Sequence, residues 1–180
     1  MPTRWTRFAF VALTVVLATW AGERSAWGLD PAKRISQYSQ QAWVLEDGLP
    51  QNTVQRAIQT RDGYIWLGTQ EGLVRFDGTR FAVFEKANTP AFRSNDITGL
   101  AESPDGTLWV ATAAGLIAVK DGTFTAYRTD NGLPFDFLTC ATFAPDGTLW
   151  LGSMGGGAIR MKHGRFSALG PGQGLPHGIV

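Results

Sequence analysis

Histidine and cysteine carry much of the nucleophilic, acid–base and metal chemistry of proteins, and this chain has only His163, His177 and Cys140. No metal-ligand spacing includes either histidine. No serine–histidine–aspartate set is discernible, and Cys140 has no evident base to activate it. Cys140 lies in the apolar run 137–143, which predicts burial. Gly155-Gly156-Gly157 lacks the Gly-Lys-Ser/Thr ending of a phosphate loop. Gly170-Pro171-Gly172-Gln173-Gly174 imitates part of a dinucleotide fingerprint but runs into Leu175-Pro176, not into a helix. Asp62, Asp105 and Asp146 are each followed by glycine, which is turn chemistry rather than a catalytic carboxylate pattern. His163 stands where Asp77 and Asp121 stand elsewhere, so it reads as a solvent turn residue. The expectation is a chain with no catalytic set, no metal and no cofactor.

The recurrence of those aspartates identifies the elements that must position any site. Three segments align: 62–69 (DGYIWLGT), 105–112 (DGTLWVAT) and 146–153 (DGTLWLGS). Their tryptophans, Trp66, Trp109 and Trp150, are 43 and 41 residues apart. Gly72, Gly115 and Gly156 each follow six residues later. A second anchor, Gly-Leu-Pro, shares the period at 48–50, 132–134 and 174–176, and 87–95 fills the slot of a missing copy with divergent sequence.

Each repeat holds four short strand patterns separated by Asp-Gly turn signals, as at Asp62-Gly63, which accept the positive φ values that a two-residue hairpin turn needs. They are expected at 54–60, 64–69, 72–76 and 80–84, then 97–102, 107–112, 116–120 and 123–127, then 138–144, 148–153, 158–162 and 165–169. Four antiparallel strands in each repeat of about 40–45 residues describe a β-propeller blade. The fold class is therefore all-β, a partial propeller of three blades. Blades stack face to face, so one large apolar wedge per repeat is needed, and Trp66, Trp109 and Trp150 suit that role. The expected divisions are a closing strand in 29–46, blades at 47–94, 95–134 and 135–176, and the start of a fourth blade at 177–180. Trp43 falls where Tyr127 lies relative to Gly-Leu-Pro, so 39–45 reads as a fourth strand without its first three. Such a strand closes a propeller by completing its last blade and leaving no edge unpaired. Alone, three blades predict an open arc with exposed faces, prone to association.

In such a blade, the loop entering the first strand and the loop between the second and third strands share one end. Those loops carry Gln51, Asn52, Gln70, Glu71, Arg93, Ser94, Asn95, Phe135 and Asp136. Polar groups beside aromatics suit a sugar, peptide or other small ligand. The competing reading is that these are merely solvated loops.

Residues 1–28 read as a secretory signal peptide. Arg4 and Arg7 precede an uncharged, mostly apolar run of 14 residues, 8–21, and Ala26 and Gly28 suit cleavage before Leu29. A retained membrane anchor is the alternative, although the run falls short of the ~20 residues that span a bilayer. Net charge is +1, from 16 Lys+Arg against 15 Asp+Glu, so no basic field points to nucleic acid. Hydrophobic residues make up 44% of the chain and charged residues 17%, which fits a globular domain rather than a disordered one.

The stretches 47–54 (DGLPQNTV) and 62–78 (DGYIWLGTQEGLVRFDG) resemble the two-component regulator propeller repeat, and the resemblance extends over 37–180. It implies the periplasmic sensor part of a receptor held in the inner membrane. A further β-sandwich, a transmembrane helix and a histidine kinase or diguanylate cyclase output would follow. None of those parts lies in this chain, so the fragment itself is not expected to be an enzyme. The implied partners are an unknown signal, the remaining blades with the output domain, and a second copy in a homodimer. Two alternatives stay open. One is a stand-alone secreted propeller that binds glycan or protein. The other is a propeller lyase or hydrolase whose catalytic residues lie on other blades.

Overall fold

The computed structural model describes Arg34, Ser36 and residues 41–175. The expected signal peptide, most of the expected closing-strand segment 29–46, His177 and the expected fourth-blade start lie outside the described residues.

Twelve strands form three four-stranded antiparallel sheets, each paired in chain order. Blade 1 holds β1 (Arg56–Gln59), β2 (Ile65–Gly68), β3 (Leu73–Phe76) and β4 (Phe81–Phe84). Blade 2 holds β5 (Ile97–Glu102), β6 (Leu108–Thr112), β7 (Gly115–Lys120) and β8 (Thr123–Tyr127). Blade 3 holds β9 (Leu138–Phe143), β10 (Leu149–Ser153), β11 (Gly157–Lys162) and β12 (Arg165–Leu169). The strands lie where the repeat put them, and the chain is a partial β-propeller.

Alternation along the strands sorts the apolar side chains onto two faces. In β6, Leu108 and Val110 join Trp66, Leu73, Ile97, Ile117 and Val119 in one core between blades 1 and 2. Trp109 and Ala111, on the opposite face, join Leu138, Leu149, Leu151 and Ile159 in a second core between blades 2 and 3. Trp66 and Trp109 are buried, at 5% and 8% exposure. Trp150 alternates with buried Leu149 and Leu151, so it lies on the other face of blade 3 and is only half-buried. Where the inner strands meet, Gly99 lets two backbones touch, since a Cβ there would lie 2.6 Å from the Ala141 amide nitrogen.

An aromatic ladder repeats across the blades. Trp66 stacks on Phe84 (5.8 Å between centroids), and Phe84 meets Phe124 of the next blade at 4.9 Å. Trp109 meets Tyr127 at 5.6 Å, and Tyr127 meets Phe166 at 5.5 Å. Trp43 makes the corresponding contact with Phe81 (6.3 Å) and packs edge-on against Phe76 (5.0 Å). Trp43 thus holds toward blade 1 the place that Tyr127 holds toward blade 3, although residues 41–44 belong to no sheet.

The Gly-Leu-Pro anchors end 3-10 turns at Leu45–Asp47, Thr129–Asn131 and Pro171–Gln173, with Gly48, Gly132 and Gly174 in the left-handed region. Leu49 and Leu133 insert into the fold as buried plugs. Between blades 1 and 2 the motif is absent, but its work is done by other residues. Asn88 donates to the Val83 carbonyl and accepts from the Glu85 amide, as Asn131 does with Ala126 and Arg128, and Phe92 is the buried plug.

Three expectations need correction. The Asp62-Gly63 hairpin is not a two-residue turn. Gly63 donates to the Thr60 carbonyl and Thr60 to the Tyr64 carbonyl, which makes a three-residue loop with glycine in the left-handed position. Two-residue turns occur instead at Asp121-Gly122 and His163-Gly164, where all four residues have positive φ. Second, the third-blade counterpart of Gly72 and Gly115 is Gly157, not Gly156. Ser153 Oγ donates to the Gly157 carbonyl as Thr69 and Thr112 donate to Gly72 and Gly115. The extra residue of blade 3 is absorbed in the loop before β11, which shifts the anchor by one. Third, Cys140 is exposed. Ala141 and Phe143 turn toward blade 2, and alternation sends Cys140 to the opposite face.

Candidate functional site: a loop end and an inter-blade cleft

The loop entering each blade and its second-to-third-strand loop are bonded together at one end of that blade. In blade 1 the Gln70 amide donates to Gln51 Oε1 (3.1 Å). In blade 2 the Ala113 amide donates to the Asp96 carbonyl, and in blade 3 the Met154 amide donates to the Phe137 carbonyl. The candidate residues Gln51, Asn52, Gln70, Glu71, Arg93, Asn95, Phe135 and Asp136 all belong to these loops.

Besides Gln51, three of them are occupied by the fold. Asn52 Oδ1 accepts from the Leu45 amide, Asn95 Oδ1 from the Lys86 amide, and Asp136 Oδ1 from the Thr129 amide, at 2.8–2.9 Å. Asp136 Oδ2 also accepts from Thr129 Oγ1 at 3.0 Å. An Asn or Asp at this repeat position clamps the incoming loop to the turn that leaves the preceding segment. Ser94 does similar local work by accepting from the Asp96 amide. Glu71, Arg93 and Phe135 are exposed, as are Asn52 and Gln70. Arg93 is paired with Asp130 across 3.7 Å, both more than half exposed, a contact of little energetic weight. Phe135 is joined by two neighbours not anticipated from sequence, Phe137 and Met154. All three are 40–53% exposed, an apolar patch among polar loops.

The opposite end of the blades carries the Asp-Gly hairpins. Lys120 donates to Asp105 Oδ2 and Lys162 to Asp146 Oδ2, each at 2.8 Å. The bond from Lys120, followed by that from the Ser103 hydroxyl, holds the Asp105 carboxyl well below its ordinary range. The bond from Lys162, with those from Thr148, lowers Asp146 to about 2. Asp77 is lowered by the Thr79 and Arg80 amides that it caps. These carboxyls bind protons more weakly folded than unfolded, where the ordinary value is 3.8. Their stabilising effect is complete above that value and is lost as pH falls toward 2 and below. Unfolding midpoints should therefore drop on acidification from pH 5 to pH 2.5, and added salt should shrink the drop because these pairs are exposed. A flat profile over that interval would contradict the assignment.

Beside these hairpins, a cleft of about 480 Å³ opens between blades 1 and 2, lined by Tyr64, Trp66, Arg75, Phe84 and Phe124, among others. Arg75 lies 4.5 Å from the Tyr64 ring centre and 5.8 Å from that of Trp66. Nothing in the reading of the loops pointed here. The available signal was Arg75 itself. In the register, Arg75 pairs with Trp66 as Arg160 pairs with Trp150, whereas Ala118 pairs with Trp109. A guanidinium replaces a methyl group on a face that stacks against another blade.

Among the described residues there is no group of three or more side chains able to hold a metal ion, and no helix long and apolar enough to cross a membrane.

Residues 48–71 and 91–114 match the family model described as two component regulator propeller. No curated protein matches the chain. The fold is similar to the extracellular domain of a hybrid two component system from B. thetaiotaomicron, at 20% identity and a TM-score of 0.69. That comparison covers 78% of this chain and 20% of the domain, so the chain spans about a fifth of its length. Virginiamycin B lyase from Staphylococcus aureus is similar at 17% identity and a TM-score of 0.54, over 72% of this chain and 46% of the enzyme. A streptogramin B lyase is similar at 18% identity with the same TM-score, over 72% and 43%. At these identities the likeness concerns the fold alone.

Proposed function

Since this chain carries two component regulator propeller repeats, we propose that it is part of the exported, ligand-sensing propeller of a membrane-bound signalling receptor. The observation that supports this most is the pair of repeat matches, because each covers the loop entering a blade, its first two strands and the loop that follows. The matched stretches therefore include the very loops that share one end of the blade. In this reading a small molecule, glycan or peptide binds there against Glu71, Arg93 and Phe135. Asn52, Asn95 and Asp136 hold the loops rather than touch the ligand. Residues 1–28 direct export to the periplasm. The segment around Trp43 closes the ring by completing a last blade, and further blades, a membrane span and an output domain belong to the same receptor. A ligand signals by binding two receptor states with different affinity.

Export is tested by fusing alkaline phosphatase after residue 175. The fusion should be active in a Gram-negative host and inactive once residues 1–28 are deleted. Equal activity of the two would remove the export step. The loop reading predicts that Arg93→Ala and Phe135→Ala change the unfolding midpoint little, since both side chains are exposed. Asn52→Ala and Asp136→Ala should each lose about 1 kcal/mol, the usual worth of such a bond to a backbone amide. The reverse ranking in denaturant titrations would assign the roles the other way round.

A further inference from the structure

The cleft between blades 1 and 2 sets an arginine against a rim carboxylate that, unlike those of blades 2 and 3, has no lysine beside it. Its inner wall holds one cation, Arg75, half-buried between two sheets. The rings of Tyr64 and Trp66 hold the guanidinium in place. Among the described residues no carboxylate lies within ion-pair distance of it. Asp62 and Asp121, both exposed, line the same cleft. In blades 2 and 3 the hairpin carboxylate is neutralised by Lys120 or Lys162. In the register Asp77 of blade 1 stands at the place of Lys120 and Lys162, not of Asp121 and His163 with which its Asp-Gly motif aligns it, so Asp62 has no lysine. Asp62 Oδ1 accepts from Thr60 Oγ1 and the Tyr64 amide, and among the described residues its second oxygen has no partner of that kind. Phe84, Phe124, Leu108 and Val119 supply the apolar remainder of the wall.

An anion without a positive group would meet the two rim carboxylates. A cation without a negative group would meet Arg75. A molecule carrying both, with an apolar body between the rings, opposes neither. We propose that this cleft binds a small zwitterion of the amino-acid class, its carboxylate on Arg75 and its ammonium group toward Asp62 and Asp121. The arginine is the anchor because a guanidinium can take a carboxylate through two parallel hydrogen bonds. The volume of about 480 Å³ is within the usual range for small-molecule sites, roughly 300–1,000 Å³, and leaves room for a large side chain. The cleft lies at the opposite end of the blades from the loops of the proposed signal site. Its test therefore stands or falls independently of that reading.

Three probes separate the charges: L-phenylalanine, 3-phenylpropionate, which lacks the ammonium group, and phenethylamine, which lacks the carboxylate. Titrated into the purified chain by calorimetry, L-phenylalanine should saturate with a Kd below about 1 mM, and each analogue should bind at least about tenfold more weakly. Arg75→Ala should cost L-phenylalanine at least about tenfold, the weight of one charge-assisted contact. Asp62→Asn, at an exposed turn, should narrow the preference for L-phenylalanine over 3-phenylpropionate while leaving the unfolding midpoint within a few degrees. Absence of saturation by L-phenylalanine would overturn the proposal. So would 3-phenylpropionate binding equally well, or unchanged affinity in both variants.

Discussion

Replacing Trp109 with alanine is expected to lower the unfolding free energy by about 3–5 kcal/mol, the range for removing a buried tryptophan. Trp109 is 8% exposed and packs between blades 2 and 3 with Leu138, Leu149, Leu151 and Ile159. It also holds Tyr127, which reaches Phe166 of the next blade. The cavity would open between two sheets whose backbones already touch at Gly99, so the blades cannot collapse onto it. Trp150→Ala provides the control. The same residue type at the same repeat position is half-buried on the outer face of blade 3, and its loss should cost no more than about 1 kcal/mol. Chemical denaturation of the two variants measures the difference. Equal losses would mean that the tryptophans stabilise their own sheets and not the stacking of blades.

The second large effect is expected at Gly157. Its φ is +71°, and a Cβ there would lie 2.2 Å from the Leu169 carbonyl oxygen. Gly72 and Gly115 present the same problem against Phe84 and Tyr127 carbonyls, at 2.9 and 2.8 Å. Gly157→Ala must either push β12 away from β11 or change the backbone dihedral, at about 2–4 kcal/mol for strain of this kind. Gly156→Ala collides with the Phe135 ring instead, without a left-handed backbone. Phe135 is 40% exposed on a loop and has solvent to move into, so this variant should retain more stability than Gly157→Ala. The opposite order in thermal unfolding would restore Gly156 as the repeat anchor.

The strands were legible because two local signals agree, alternation along each strand and Asp-Gly or His-Gly at its ends. The positions that were not legible depend on neighbours remote in sequence. An extra residue before β11 could be absorbed on either side of the anchor, and only pairing of Ser153 with Gly157 decides. The run 137–143 (FLTCATF) has no strict apolar–polar alternation and its register shifts between Leu138 and Cys140, so its sequence hides which side chains face blade 2, and Cys140 is on the wrong face for burial. Asn52, Asn95 and Asp136 resemble ligand-binding side chains because their partners are backbone amides seven to nine residues earlier, which carry no sequence signature. Arg75 recurs in the sequence as Arg160 at the same register position, so its meaning in the cleft needs the facing blade.

The receptor reading is tested most directly by sequencing the coding DNA beyond codon 180. At ~40–45 residues per blade, a closed ring of six to eight blades takes roughly 240–360 residues. The account predicts further repeats with the Asp-Gly-x-x-Trp pattern, then a membrane-spanning segment and a kinase or cyclase domain. Repeats followed by a stop codon with no membrane span, or a histidine-containing catalytic cluster on the later blades, would contradict it.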